Sequence, residues 1–265
     1  MSIPAPPRIA VVGDNTIDSY VGRLERRLVG GNAVNCAVQL AARGLEVEYF
    51  GAVGDDEPGG VVRRVLMDRG VGCDGLVPME GDTALTVVRV LPSGDRVFEE
   101  EDFGVTARYY PDDERLERIA AADWVHLGML PRAAELVAAL RARRSGVPIS
   151  QDCAVSAGAA GLSVAFQSAG EQGEPEAVAR DLLAGGAMLG VVTRGAQGAL
   201  AFDGRTVFHQ PALPTEVVDT TGAGDSFISG FIASRLRGEG VPAALAAGAE
   251  WAAATCRHLG GFLQE

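Results

Sequence analysis

Apolar runs of strand length alternate with helix-patterned segments along most of this 265-residue chain, and nothing else constrains its fold as tightly. Residues 9–12 read as a buried strand and 32–43 as a helix stopped by Gly44, followed by a strand at 46–53 and a helix at 58–69 that ends at Gly70. Further helices are expected at 111–122, 133–144 and 174–184, between strands at 124–127, 148–151, 163–166 and 188–193. Strand–helix alternation at this spacing implies a parallel sheet with helices on both faces. Two stretches break the rhythm. Residues 19–29 and 83–103 carry period-two patterns, the second with a turn at Pro92, Ser93, Gly94 and Asp95, and they read as a β excursion covering something beside the sheet. Asp203 and Gly204 mark a second hairpin between 198–202 and 205–209. Helices at 223–237 and 241–259 close the chain. No internal repeat and no long linker interrupt it, so a single domain over 1–265 is expected.

Composition narrows the chemistry. All 23 basic residues are arginine; the chain has no lysine. Walker-type P-loop NTPases and protein kinases need a phosphate-binding lysine, and Schiff-base and pyridoxal-phosphate enzymes need a lysine amine. Those classes are excluded. The net charge of −12 argues against a nucleic-acid backbone or an anionic membrane as main partner. Four cysteines without CxxC or CxH spacing point to reduced, mostly buried thiols. The opening MSIPAPPRIAVVGD lacks a signal-peptide layout and no apolar run reaches 18 residues, so a cytoplasmic protein is expected. His126, His209 and His258 are scattered and form no ligand set.

The most informative stretch is Asp219, Thr220, Thr221, Gly222, Ala223, Gly224 and Asp225. Phe227, Ile228, Phe231 and Ile232 follow at helical spacing, so the glycine-rich turn opens a helix. Such a start offers unpaired N–H groups and a positive dipole end, and Gly222 and Gly224 remove the side chains that would keep a phosphate from them. With no lysine available, this backbone site is the best phosphate stabiliser in the chain. A carboxylate beside it repels phosphate, so Asp225 makes sense if it accepts a proton from an attacking hydroxyl. The alternative is a helix-end aspartate favoured by the dipole.

Gly30 and Gly31 precede Asn32 and Asn35, which share one face of a helix start and can both donate and accept. A polyol site and an asparagine-capped helix both fit. Asp14 and Asp18 follow the first strand, where α/β sheets place ligands, although a solvated turn uses the same residues. Thr193, Arg194 and Gly195 end a later strand and suit either nucleotide phosphates or a plain turn between strands. No GxGxxG follows the first strand, so a dinucleotide site is poorly supported. The acidic run from Glu99 to Asp102 reads as a solvated turn, with a ligand ammonium as the alternative.

In this order the pieces resemble the ribokinase-like (PfkB) family of carbohydrate kinases over the whole chain. Within it, the stretch from Gly13 to Asp18, that from Gly30 to Asn35, and Asp95, Arg96, Val97 and Phe98 are most similar to the fructoselysine 6-kinase branch. The resemblance implies a three-layer α/β/α ribokinase-like fold with a mostly parallel central sheet and a small β lid, from about 18–30 and 83–104. Lid strands often join a partner subunit in such enzymes, and their exposed edges make a homodimer the expected assembly. The implied reaction transfers the γ-phosphoryl of ATP to a primary hydroxyl of a sugar or sugar–amino acid adduct. Kinases of another small polyol (fructose, ribose, a nucleoside or a keto-deoxy sugar acid) and an inactive sugar or nucleotide sensor are the alternatives.

The resemblance implies ATP and Mg²⁺, and leaves open a monovalent cation near the C-terminal loop. By the same resemblance Asp225 is the base, with Gly222, Ala223 and Gly224 completing the anion hole. Asp14, Asp18, Gly31, Asn32 and Asn35 hold the sugar. Thr193 and Gly195 lie along the nucleotide, and Ala252, His258 and Gly260 near its adenine. Two departures stand out. The family's Asn-x-x-Glu is here Ser168, Ala169, Gly170 and Glu171, so only Glu171 carries over, supporting Mg²⁺ through water. Its Asp-Pro-Asn-x-Arg is here Asp152, Cys153, Ala154, Val155 and Ser156.

Overall fold

The computed structural model describes residues 6–22, 25–90, 96–170 and 172–264. The chain opens with β1 (Arg8–Val12), β2 (Thr16–Gly22), β3 (Arg26–Gly30), α1 (Asn32–Ala41), β4 (Glu46–Gly54) and α2 (Glu57–Asp68). It continues through β5 (Gly72–Met79), β6 (Leu85–Val90), β7 (Arg96–Asp102), α3 (Asp113–Ala120), β8 (Trp124–Leu127), α4 (Ala133–Arg143) and β9 (Ile149–Asp152). Then follow β10 (Val164–Ser168), α5 (Pro175–Ala184), β11 (Gly190–Thr193), β12 (Ala199–Phe202), β13 (Val207–Gln210), α6 (Ala223–Leu236) and α7 (Val241–Thr255).

The main sheet runs β13-β12-β11-β10-β9-β8-β1-β4-β5. It is parallel from β11 to β5, while β12 and β13 are antiparallel additions at one edge. Apolar residues of α1, α2, α6 and α7, among them Val34, Leu66, Phe231 and Leu245, fill one face. Leu116, Leu136 and Leu182 of α3, α4 and α5 fill the other, which makes the expected three layers. The second sheet, β3-β2-β6-β7, is the lid. Among the described residues, no helix is long and apolar enough to cross a membrane.

Local chemistry explains most boundaries. Asp56 and Asp112 cap α2 and α3, accepting from Gly59 N at 2.8 Å and Arg115 N at 2.9 Å. α6 is buried from Asp225 to Ser234, because it lies between the sheet and α7; Phe231 meets Phe166 edge-on at 5.4 Å. Three expectations need correction. β5 was not expected, because Gly72, Gly75 and Pro78 disguise it; it is an edge strand, where proline is tolerated. The lid begins at Thr16, two residues earlier than expected, because Thr16 and Ile17 already pair with Gly30 and Val29. The last helix ends at Thr255, not 259, and its continuation turns back toward α6. The turn expected at residues 92–95 lies outside the described residues.

This topology fixes where a ligand can bind. Strand β1 is flanked by β4 and β8, reached by connections running in opposite directions, so the carboxyl ends of β1 and β8 border a topological switch point. Gly13 and Asp14 leave β1 there, Gly128 leaves β8, and Asp152 ends β9.

Candidate active site

The glycine-rich turn and the asparagine helix meet at that switch point. Gly222 is the N-cap of α6 with φ 73°, a left-handed conformation that disfavours other residues, and a Cβ there would drive into Gly261 Cα. A Cβ on Gly224 would meet nothing within 4 Å, so this amide edge faces open space. Helix geometry leaves the N–H groups of Gly222, Gly224 and Asp225 without an intrahelical acceptor, while Ala223 N donates to Thr220 O at 3.2 Å. Asp219 fastens the turn to the C-terminal loop: it accepts from Thr221 N at 2.7 Å and from Gly260 N at 2.8 Å.

Asp225 does not fold back onto those amides. Its two carboxylate oxygens accept from Asn32 Nδ2 at 2.6 Å and Asn35 Nδ2 at 2.7 Å, which joins α6 to α1. Asn32 Nδ2 also donates to Asp152 Oδ2 at 2.9 Å, so one amide group bridges two carboxylates. Burial pushes the Asp225 carboxyl up to about 8; the charges of Asp152 and Asp14 add to this, and the two asparagine hydrogen bonds oppose it. Asp152 is raised as well, by burial first. A buried carboxyl with such a proton affinity, next to vacant amides, can take a proton from an alcohol while the amides hold an anion.

Asp14 accepts from Asn32 N at 2.8 Å and Ala33 N at 3.0 Å, so both of its oxygens cap α1. Gly31, with φ 107°, is packed against Asn15 Cα. Asp18 points across the lid strands over Gly30, and burial together with the charges of Asp14, Asp219 and Glu101 lifts it to about 7. Thr193 ends β11 and Gly195 opens the short 3₁₀ turn after it, two strands along from Asp152, about 10 Å at the usual strand spacing. Ser168 lies opposite Thr193 in the sheet register. Ala252 sits in the last turn of α7, His258 Nδ1 donates to Leu259 O at 3.2 Å, and Gly260 is tied to Asp219. The structure therefore brings Asp14, Asn32, Asn35 and Asp225 into one hydrogen-bonded group. Thr193 and Gly195 lie to one side of it along the sheet, and the C-terminal loop abuts the Gly222 turn. Glu171 lies outside the described residues.

The sequence reading missed Asp152. The signal was available, since Asp152 follows an expected strand just as Asp14 does. Ser156, at the position of the family's arginine, donates to Gly128 O at 3.0 Å and accepts from Leu130 N at 2.9 Å, so it holds the β8–α4 loop rather than a ligand. Asn15, 1% exposed, ties β1 to β4 by donating to Ala52 O at 2.6 Å.

The model of the pfkB family carbohydrate kinases matches residues 15–263. The chain belongs to this family. As such it is an ATP-dependent carbohydrate kinase, a phosphotransferase. It is 32% identical to the fructosamine kinase FrlD of Bacillus subtilis (strain 168), over 96% of this chain and 93% of that protein. It is also 32% identical to the fructoselysine 6-kinase of Escherichia coli (strain K12), over 96% of this chain and 99% of that protein. In fold, this pfkB kinase superposes on Arabidopsis thaliana ribokinase, complexed with ribose and ATP, at TM-score 0.84 and 21% identity, covering 97% of this chain and 94% of that one. The family match bears out the expected family, and the superposition the ribokinase-like fold with its lid.

Proposed function

We propose that this kinase phosphorylates a primary hydroxyl of a sugar–amino acid adduct, with fructoselysine as the first substrate to test. The observation that carries the mechanism is the placement of Asp225: buried, held by two asparagine amides, at the head of a helix whose first amides are unfilled. The substrate class is supported by the two glycated-amine kinases that match nearly the whole chain at 32% identity.

The acceptor hydroxyl oxygen attacks the γ-phosphorus in line. A bond forms between them as the bond from phosphorus to the β–γ bridging oxygen breaks, and ADP departs. The hydroxyl proton passes to Asp225, and the amides of Gly222, Gly224 and Asp225 receive the charge on the migrating phosphoryl. Asn32 and Asn35 hold the carboxylate in register, while Asp14 and Asp18 offer acceptors to the sugar. Thr193 and Gly195 support the nucleotide phosphates, with Ala252, His258 and Gly260 toward the base.

Magnesium needs only one or two carboxylates plus phosphate oxygens and water. That suits this site, where Asp152 and Asp225 share the Asn32 amide and, among the described residues, no cage of three or more acidic, histidine or cysteine ligands exists. Asp152, with Glu171, would hold the ion's water shell, and the ion would neutralise phosphate charge that no lysine is present to meet.

The decisive experiment is a panel of sugars with ATP, with and without EDTA. Phosphorylation of the glycated lysine ahead of fructose and ribose supports the reading. Turnover that survives EDTA contradicts the metal assignment, and a preference for unmodified sugars contradicts the substrate class.

A further inference from the structure

Two of the lid's connections to the body are tied down in different ways. Just before β6, Asp56 at the start of α2 accepts from Thr83 N at 2.8 Å and from Thr83 Oγ1 at 2.5 Å. Thr83 Oγ1 in turn accepts from Gly54 N at 2.9 Å. At β3 the tie comes from the other end of the sequence. β3 is the last strand of the lid sheet and pairs with β2 on one side, so its other edge has no strand against it. The Gln264 side chain takes that edge at Val29: its Oε1 accepts from Val29 N at 2.8 Å, and its Nε2 donates to Val29 O at 2.7 Å. One side-chain amide thus satisfies both backbone groups, as a paired strand residue would. Val29 is buried and shortly precedes Gly31 and Asn32, so the contact sits next to the residues that meet Asp14 and Asp225.

The segment that carries Gln264 also backs the phosphoryl site. Leu259 packs against Tyr20, Leu28 and Val88 of the lid. Gly260 N donates to Asp219, and Gly261 O accepts from Gln39 Nε2 of α1 at 2.8 Å. Gly261 is wedged between the two halves of the site. A Cβ on Gly222 would stand 2.3 Å from Gly261 Cα, and a Cβ on Gly261 would stand 2.3 Å from Asn35 Oδ1. Phe262 is buried in the core that α1, α2 and α6 share. Residues 259–264 therefore touch the lid, the head of α6 and one of the asparagines that hold Asp225.

We propose that Gln264 is a positioning residue that couples the sugar side of the site to the phosphoryl side. This rests on the sugar-kinase reading above and deepens it. With Val29 fixed, Gly31 and Asn32 keep their place toward the sugar and Asp225, and the same segment keeps Gly261 against the Gly222 turn. A sugar that orders β2 and β3 thereby orders the amides of Gly222, Gly224 and Asp225 for ATP, and the Gln264 amide carries that effect.

The test is calorimetry on the full-length enzyme with the β,γ-methylene analogue of ATP and whichever of fructoselysine, fructose and ribose the wild type binds most tightly. In the wild type, saturating sugar tightens the analogue about tenfold. Gln264→Leu keeps the bulk and loses both hydrogen bonds; the tightening falls to about twofold or less, while the analogue's affinity without sugar stays within about twofold. Gln264→Glu keeps one hydrogen bond and gives an intermediate ratio, and it decides alone where Gln264→Leu does not fold. Leu263→Ala, at the neighbouring residue with 64% exposure, keeps the full ratio. A ratio retained by the Gln264 variants, or both ligands weakened equally with the ratio intact, overturns the inference alone, because a merely structural tie would do that. Absence of coupling in the wild type overturns it as well. Binding of the ATP analogue with none of the three sugars bound overturns the sugar-kinase reading and this inference with it.

Discussion

Helices α1 and α6 meet head to head at the site, and both begin at a glycine with positive φ that offers no side-chain cap. They treat their free amides in opposite ways. In α1, Asp14 reaches from the end of β1 and fills the N–H groups of Asn32 and Ala33. In α6, the carboxylate nearest the amides, Asp225, is turned away to α1 and leaves them open. A filled helix start is architecture, whereas an unfilled one keeps its partial positive charge for an incoming anion. The difference lies in which carboxylate the fold delivers to which helix.

The largest effect should come from Asp225→Asn, which preserves the shape and removes the base. A fall in kcat of about 10²–10⁴ is expected, read in a steady-state assay with ATP at saturation. Near-normal turnover would break the contrast between the two helices. The same variant also sharpens it through pH. Asp225 binds its proton more tightly folded (about 8) than unfolded, so its contribution to stability is complete below about pH 4 and is lost as the pH rises toward 8. The ligand-free Tm of the wild type should therefore fall between pH 5 and 8.5, and Asp225→Asn should flatten that slope.

Gly222→Ala ranks next. Its left-handed backbone and the collision with Gly261 should cost about 2 kcal/mol or more in denaturant unfolding, together with the anion site. The two smaller effects oppose each other. Gly224→Ala enters open space and replaces a helical glycine, so stability should rise by up to about 1 kcal/mol. ATP affinity, measured by calorimetry, should nonetheless drop about tenfold as the methyl stands before the open amides. Asp14→Ala should do the reverse, losing about 1–2 kcal/mol of stability by uncapping α1 while leaving ATP affinity within about twofold. If both variants behaved alike, the distinction between filled and unfilled helix starts would be wrong.

Much of this was legible in the linear chain. Strand and helix periods are local, and so is the glycine-rich opening of α6; they announced the layered fold, the β excursion and the residues Asn32, Asn35 and Asp225. Strand β5 was hidden because glycine and proline blur its period, and an edge position tolerates both. Asp152 was passed over because its importance comes from Asn32, 120 residues away, not from its neighbours. Asp14 illustrates the limit from the other side: the sequence placed it correctly at a strand end and could not say that its oxygens close a helix.

By itself, the sequence determined the order of elements, the lack of any lysine to meet phosphate, and a helix start stripped of side chains. Only the tertiary structure decided that Asp225 faces Asn32 and Asn35 rather than its own amides, and that Gln264 closes the free edge of β3 at Val29. Period and composition act over a few residues, whereas hydrogen-bond partners and Coulomb terms depend on distances that exist only once the strands have taken their order in the sheet.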